Sequence, residues 1–361
     1  MGMILVVGQG SWEHHYSQLG HADWYGWTLA DTVFPLFLFA VGIAIVLSSS
    51  AHLARGSSKG SLAVKILRRS AVILVLGLAL NAFPTFDLPH LRIPGILQRI
   101  AVCYAIAGLL FLAFWRSEGK ALRGMFVRIT ASLLFILILY WALLAFVPVP
   151  MFGAGRMDSF GSLPAYVDRQ VFSLAHLWPY GVTPGHGVTY DPEGILSTLP
   201  ATATVLIGVL CGLWLKMKTS TYWHVVGLAG AGLCLFFAGV ALNPIIPIAK
   251  KIWTDSFVLV SGGFAMAVFA AVYWLCDVRG LTAWSYPLRV LGSNAILAFT
   301  VSQLVGDYLD TPWAIRTAGF AWLHAIIPSA NAASFVFALV YLLLIVAMLA
   351  PLHRHRIFLR V

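Results

Sequence analysis

The stretch HADWYGWTLADTVFPLFLFAVG, residues 21–42, runs from a histidine and two acids through a cluster of aromatics into an apolar segment that continues to about residue 50. An uninterrupted apolar run of about 18 residues or more reads as a transmembrane helix. Its polar lead-in then sits at a membrane boundary. Titratable groups are costly there unless something uses them, which singles out His21, Asp23 and Asp31.

Runs of the same kind recur at 64–83, 95–115, 126–147, 195–215, 222–243, 256–276, 287–306 and 334–351. The composition agrees: 361 residues, 60% hydrophobic, 10% charged, mean hydropathy +0.88. The expected fold is all-α, a polytopic membrane bundle of about nine full transmembrane helices in one domain, 1–361, with a partial first helix at 2–9. Only Met1–Val7 precede the polar turn at Gly8–Gly10, too few for a span, so a truncated first helix is expected. The same segment lacks the basic start and apolar length of a signal peptide. Cys103, Cys211, Cys234 and Cys276 all fall in apolar runs and read as small buried thiols.

The net charge of +10 is explained by membrane topology, and nucleic acid is not an expected partner. Sixteen of the 23 Lys and Arg lie in one set of connections, 51–69, 116–128, 216–218, 277–289 and the C-terminus. Only two of the 13 acids, Glu118 and Asp277, share that side. The positive-inside rule makes this side cytoplasmic, with a cytoplasmic C-terminus. His21 and the long connections 148–194 and 307–333 then face outward, and 313–326 reads as an interfacial segment.

Several polar residues stand out against this background. Thr28 and Asp31 have the spacing of a capping box, although Asp31 also fits the N-cap itself. Asp23 among Trp24, Tyr25 and Trp27 reads as a solvated acid in an interfacial aromatic belt. His21 carries the side chain best suited to general-base work near neutral pH, though a lone loop histidine is more often structural. The spacing of His14, His15 and His21 fits no closed zinc site, and no metal is expected. In RIPGILQRIAVCY (92–104), Gln98 and Arg99 enter an apolar helix, where an arginine must pair, snorkel or line a cavity. In YDPEGILSTLP (190–200), Asp191 fits a helix start, whereas capping leaves Glu193 unexplained. Thr198, Thr202 and Thr204 extend a polar stripe, and Gly208 and Gly212 form a GxxxG packing surface. Ser293, Asn294 and Gln303 place polar groups within the run 287–306. No P-loop and no GxGxxG occurs.

Taken together, HADWYGWTLADTVFPLFLFAVG (21–42), RIPGILQRIAVCY (92–104), YDPEGILSTLPA (190–201), KKIWTDSFVL (250–259), DVRGL (277–281) and LGSNAILAF (291–299) resemble the transmembrane heparan-alpha-glucosaminide N-acetyltransferases and their bacterial relatives. The resemblance implies a membrane enzyme that passes an acetyl group from cytosolic acetyl-CoA to a glucosamine-type amine across the bilayer. It puts the active-site histidine at His21. Asp31, Gln98, Arg99, Asp191, Glu193, Trp253 and Asn294 fall on the family's polar motif positions.

In this scheme His21 acts as general base, or carries the acetyl group as acetyl-histidine. Asp31 orients it or caps its helix. Arg99 or Asn294 stabilises the oxyanion, Trp24 and Trp27 stack on the sugar, and Arg68 and Arg69 neutralise the CoA phosphates. The chain departs from the family in lacking its usual first-helix start, and it has Gln9 where an active-site asparagine is expected. With no large outer domain and no N-x-S/T site, the expected setting is a bacterial inner membrane and a cell-envelope acceptor. A transporter of a small polar solute and a non-catalytic membrane relative are the competing readings. Monomer and homodimer both remain open.

Overall fold

The computed structural model describes residues 1–116, 120–310 and 314–358. Glu118, the first residue of the segment 313–326 and the last three residues of the basic C-terminus lie outside the described residues. The protein is an all-α polytopic membrane bundle. Helices α1 (Gly2–Val7), α2 (Leu29–Ala54), α3 (Lys59–Ala82), α4 (Ile96–Phe114), α5 (Lys120–Phe146), α6 (Leu163–Phe172) and α7 (Thr198–Lys216) lead into α8 (Thr221–Leu242) and α9 (Asp255–Tyr273). The chain then forms α10 (Tyr286–Ser293), α11 (Ala295–Asp310), α12 (Ile315–Ile326) and α13 (Ala330–Arg354).

Among the described residues, seven helices are long and apolar enough to cross a membrane: α2, α4, α5, α7, α8, α9 with its extension to Val278, and α13. The bent pair α10–α11 makes an eighth. Helix α3 has crossing length, but Lys65, Arg68 and Arg69 interrupt its first half, so only the segment after them is uniformly apolar.

Two compact units share the chain: Met1–Ala22 with Thr28–Val33 and Leu275–Val361, and Asp23–Trp27 with Phe34–Trp274. In the larger unit α7 is buried along nearly its whole length, packed against α4, α5 and α9. The GxxxG surface works as its spacing predicts. A Cβ on Gly208 would come within 2.0 Å of the Phe39 carbonyl oxygen, and one on Gly42 within 2.1 Å of the Val205 oxygen. Backbones that close leave room for glycine only. Helices α8 and α9 form a hairpin, and α8 buries one narrow stripe. Its remaining apolar surface is what a helix turns toward lipid. For that reason Cys234 is exposed. Cys276, beyond the end of α9, is partly exposed, and Cys103 and Cys211 are buried as expected.

The connection 148–194, read as a loop, contains α6 and a short hairpin, β1 (Val182–Thr183) with β2 (Gly187–Val188). Pro164 in the first turn of α6 was the available signal. Gly185 and Gly187 supply the positive φ values that the tight hairpin turn needs.

In the smaller unit α1 packs against α11 and α13 around Ile4, Leu291, Tyr341, Leu342 and Ile345. The continuous helix expected over 287–306 is instead broken at Asn294, where α10 and α11 meet at 80°. Ser293 Oγ donates to the Val290 carbonyl and Asn294 Nδ2 to that of Ile357 (2.9 and 3.0 Å). Short polar side chains that compete for backbone partners are a usual cause of such breaks.

Candidate active site

Helix α2 starts one residue after Thr28, so Thr28 is the N-cap and Asp31 is the third helical residue. Asp31 closes half of the capping box, its Oδ2 accepting from Thr28 N at 3.0 Å. It is therefore not the N-cap. The same oxygen accepts from Ala22 N at 3.1 Å, which folds the His21 segment back onto the helix end. Asp31 Oδ1 lies 2.8 Å from His21 Nδ1. An ionised carboxylate only accepts, so Nδ1 carries the proton and the basic nitrogen is Nε2. Asp31 is 1% exposed and the His21 side chain 46%. A buried acid thus holds an imidazole that solutes can reach. Thr28 Oγ1 donates to the Gly20 carbonyl at 2.7 Å and pins the turn from the other side.

The neighbouring aromatics are occupied within the larger unit. Trp24 Nε1 donates to the Met157 carbonyl (2.8 Å), its ring meets Tyr190 edge-on at 4.8 Å, and Lys251 Nζ lies 5.8 Å from its centroid. Lys251 also donates to the Asp23 carbonyl. Trp27 packs edge-on against Phe236 at 5.7 Å. Both rings are half-buried, and a sugar would have to share them with these contacts.

A second polar group forms in the larger unit around Arg92. Its Nε and Nη2 reach Asp191 Oδ2 and Oδ1 (2.9 and 2.6 Å), and Nη2 also reaches Glu193 Oε2 (2.5 Å). Burial disfavours the guanidinium charge, but attraction from Asp191 and Glu193 outweighs it and holds the Arg92 pKa above the ordinary arginine value. Asp191 also accepts from the backbone of Trp178 and Glu193. It therefore clamps a loop and does not cap α7, which begins only at Thr198. Glu193, left unexplained by capping, is Arg92's second partner.

Arg99 does not snorkel. It is 2% exposed, with Nη2 donating to Ser197 Oγ (2.5 Å) and the Gly194 carbonyl (3.1 Å) and its guanidinium 5.0 Å from the Trp253 ring centroid. Among the described residues, Arg99 Nε and Nη1 and Gln98 Nε2 have no hydrogen-bond partner. Trp253 itself is fully buried and donates to Thr204 Oγ1 (3.2 Å), so it acts as a packing residue with no face open to a sugar. Arg68 and Arg69 are exposed on α3, with Arg69 lying over the Tyr104 ring.

Asn294 falls at the far end of the smaller unit from the histidine segment. Its neighbour Ser293 touches His353, near the C-terminal end of α13, whereas Ser11 touches Ser334 near the N-terminal end. About 28 Å of helix separates those points. The two segments therefore meet opposite ends of α13.

Arg92, Asp168, Asp255 and Arg316 were missed. Arg92 opens one quoted stretch and its two acids open another, so the signal was a stranded charge in each. In α6, burial pushes the Asp168 carboxyl up to about 7, despite the Ile195 N–H and the Arg99 and Arg169 charges. Asp255, in the first turn of α9, is buried, and neither carboxylate oxygen has a hydrogen-bond partner among the described residues.

Fold and site together define an integral membrane protein with a carboxylate-oriented histidine at the start of a membrane helix. No family model matches the chain. Over 357 residues it is 32% identical to the heparan-alpha-glucosaminide N-acetyltransferase of Homo sapiens, and over 356 residues 30% identical to that of Mus musculus. These matches cover 87% and 86% of this chain and 52% and 53% of the relatives, so the chain spans about half the length of the curated relatives it matches. Across that shared region the chain is similar to the heparan-alpha-glucosaminide N-acetyltransferases.

Proposed function

We propose that the chain is a membrane acetyltransferase that moves an acetyl group from acetyl-CoA to the amine of a glucosamine-type sugar. The observation that carries this reading is the contact of 2.8 Å between a half-exposed His21 and a buried Asp31. The names of the two relatives support the reaction class.

Acetyl-CoA, the acyl donor, supplies a thioester carbonyl activated toward amines. Asp31 fixes the tautomer and the aim of the imidazole, as the acid of a nucleophile–His–acid arrangement does. His21 Nε2 takes the amine proton as nitrogen bonds to the carbonyl carbon. The C–S bond then breaks, and the proton passes to the departing thiolate, leaving an amide and a free CoA thiol. In the larger unit, Arg99 offers two buried donor nitrogens, Nε and Nη1, without hydrogen-bond partners among the described residues, suited to an oxygen-rich ligand. Arg68 and Arg69 offer exposed charge suited to phosphates. The acceptor is read as extracytoplasmic, from the side assigned to His21 by the distribution of basic residues.

The test is thiol release by the purified protein in detergent, supplied with acetyl-CoA and glucosamine. His21→Ala is expected to lower kcat by about 10²–10⁴-fold, the usual worth of a general base. Wild-type protein that releases no thiol above background, or a His21→Ala variant that matches wild type, overturns the reading.

A further inference from the structure

The turn that presents His21 is tied into the smaller unit by one buried side-chain relay. Arg316, 4% exposed, sits at the start of α12. Its Nη1 donates to the Val7 carbonyl at 2.8 Å and the Gln9 carbonyl at 2.5 Å, its Nη2 approaches the Gly306 carbonyl at 3.4 Å, and its Nε donates to Asp310 Oδ1 at 2.5 Å. Trp12 covers the guanidinium, with Cζ 5.2 Å from its ring. Gln9, 3% exposed, is thereby held in place and donates from Nε2 to the Leu19 carbonyl at 2.8 Å. Leu19 precedes Gly20, whose carbonyl accepts from Thr28 Oγ1, and Gly20 precedes His21.

We propose that Arg316 is a positioning residue for His21, acting through Gln9. The inference rests on the general-base reading of His21. Three features carry it. The two side chains that carry the relay, Arg316 and Gln9, are buried, so water competes little for their hydrogen bonds. A guanidinium fork can address two carbonyls and a carboxylate at once, which an ammonium cannot do in fixed geometry. The relay also holds the segment at Leu19 while Asp31 holds it at His21 and Ala22, so the backbone of the turn is fixed at both ends. Gln9 therefore commits an Nε2 N–H to the chain.

The test compares Gln9→Met, which keeps length and packing but loses the donor, and Arg316→Lys with wild type. Each is made alone and combined with His21→Ala. Misplacement of a catalytic group by about 1 Å costs up to about a hundredfold. Each single variant is therefore expected to lose about ten- to a hundredfold in kcat, with KM for both substrates little changed. In the His21→Ala background the same changes are expected to cost nothing further. Hydrogen–deuterium exchange over residues 17–22 is expected to speed up in both variants, while α13 is unchanged.

Gln9→Met with wild-type kcat and wild-type exchange overturns the proposal. So does a loss that persists in the His21→Ala background, because that loss does not act through His21. If wild type transfers no acetyl group, the proposed function falls on its own. The exchange measurement then still decides whether the relay fixes the turn.

Discussion

Asp31 does two jobs with two oxygens. One completes the cap of α2 and gathers the Ala22 and Thr28 amides; the other meets the imidazole. The sequence offered cap and catalytic orientation as alternatives, and the spacing S/T-x-x-D could not rank them. Spacing shows that a carboxylate can reach its own helix end. It does not show that a loop ten residues upstream folds back to the second oxygen. Asp191 illustrates the same limit, since its partner Arg92 is 99 residues distant and no local pattern connects them. Asp168 gives a residue-scale prediction. Its folded pKa is raised to about 7 from 3.8. The folded state therefore holds a proton that the unfolded state has released, and stability falls as pH rises from about 4 to about 7. Unfolding midpoints in detergent across that range are expected to fall more steeply for wild type than for Asp168→Asn, which cannot ionise. Parallel curves for the two proteins would count against a raised Asp168.

At the scale of elements, most spans were readable because long apolar runs admit little else in a membrane. The failures were local. Helix α6 and its hairpin were hidden because they are short and their surroundings are rich in Gly and Pro. The break at Asn294 was hidden because the run around it stays apolar, and what breaks the helix is a pair of side-chain hydrogen bonds. The GxxxG surface was legible as a pattern, but its partner, α2, was not. That contact gives a sharp comparison. Gly208→Ala drives a Cβ into the Phe39 carbonyl, and backbone cannot yield as a side-chain tip can. A cost of about 1–3 kcal/mol, or more, is expected. Gly230→Ala, on α8 with open space around its Cβ, is expected to be neutral or slightly stabilising. Thermal unfolding of the two variants in the same detergent reads the difference directly, and equal midpoints would mean that α2 and α7 do not approach so closely.

At the scale of the whole molecule the open quantity is sidedness, because it decides whether the proposed acetyl transfer also carries the group across the bilayer. Sixteen of 23 basic residues on one set of connections is a strong bias, and the rule that reads it counts Lys and Arg near helix ends. The connection between α2 and α3, with Arg55, and the end of α13, with His355, belong to that set. The loop carrying Glu13 and His21 belongs to the other. Single cysteines at these three positions, in a background with the four native cysteines replaced, turn the assignment into a labelling experiment. A membrane-impermeant maleimide on intact cells is expected to label Glu13→Cys alone. Arg55→Cys and His355→Cys are expected to react only after permeabilisation. In that case acetyl groups drawn from a cytosolic donor must reach His21 through the protein. Cells labelled at Arg55→Cys and His355→Cys without permeabilisation would place His21 on the cytosolic face beside its donor. Transfer would then need no passage through the membrane, and the acceptor would have to be sought among cytosolic amines.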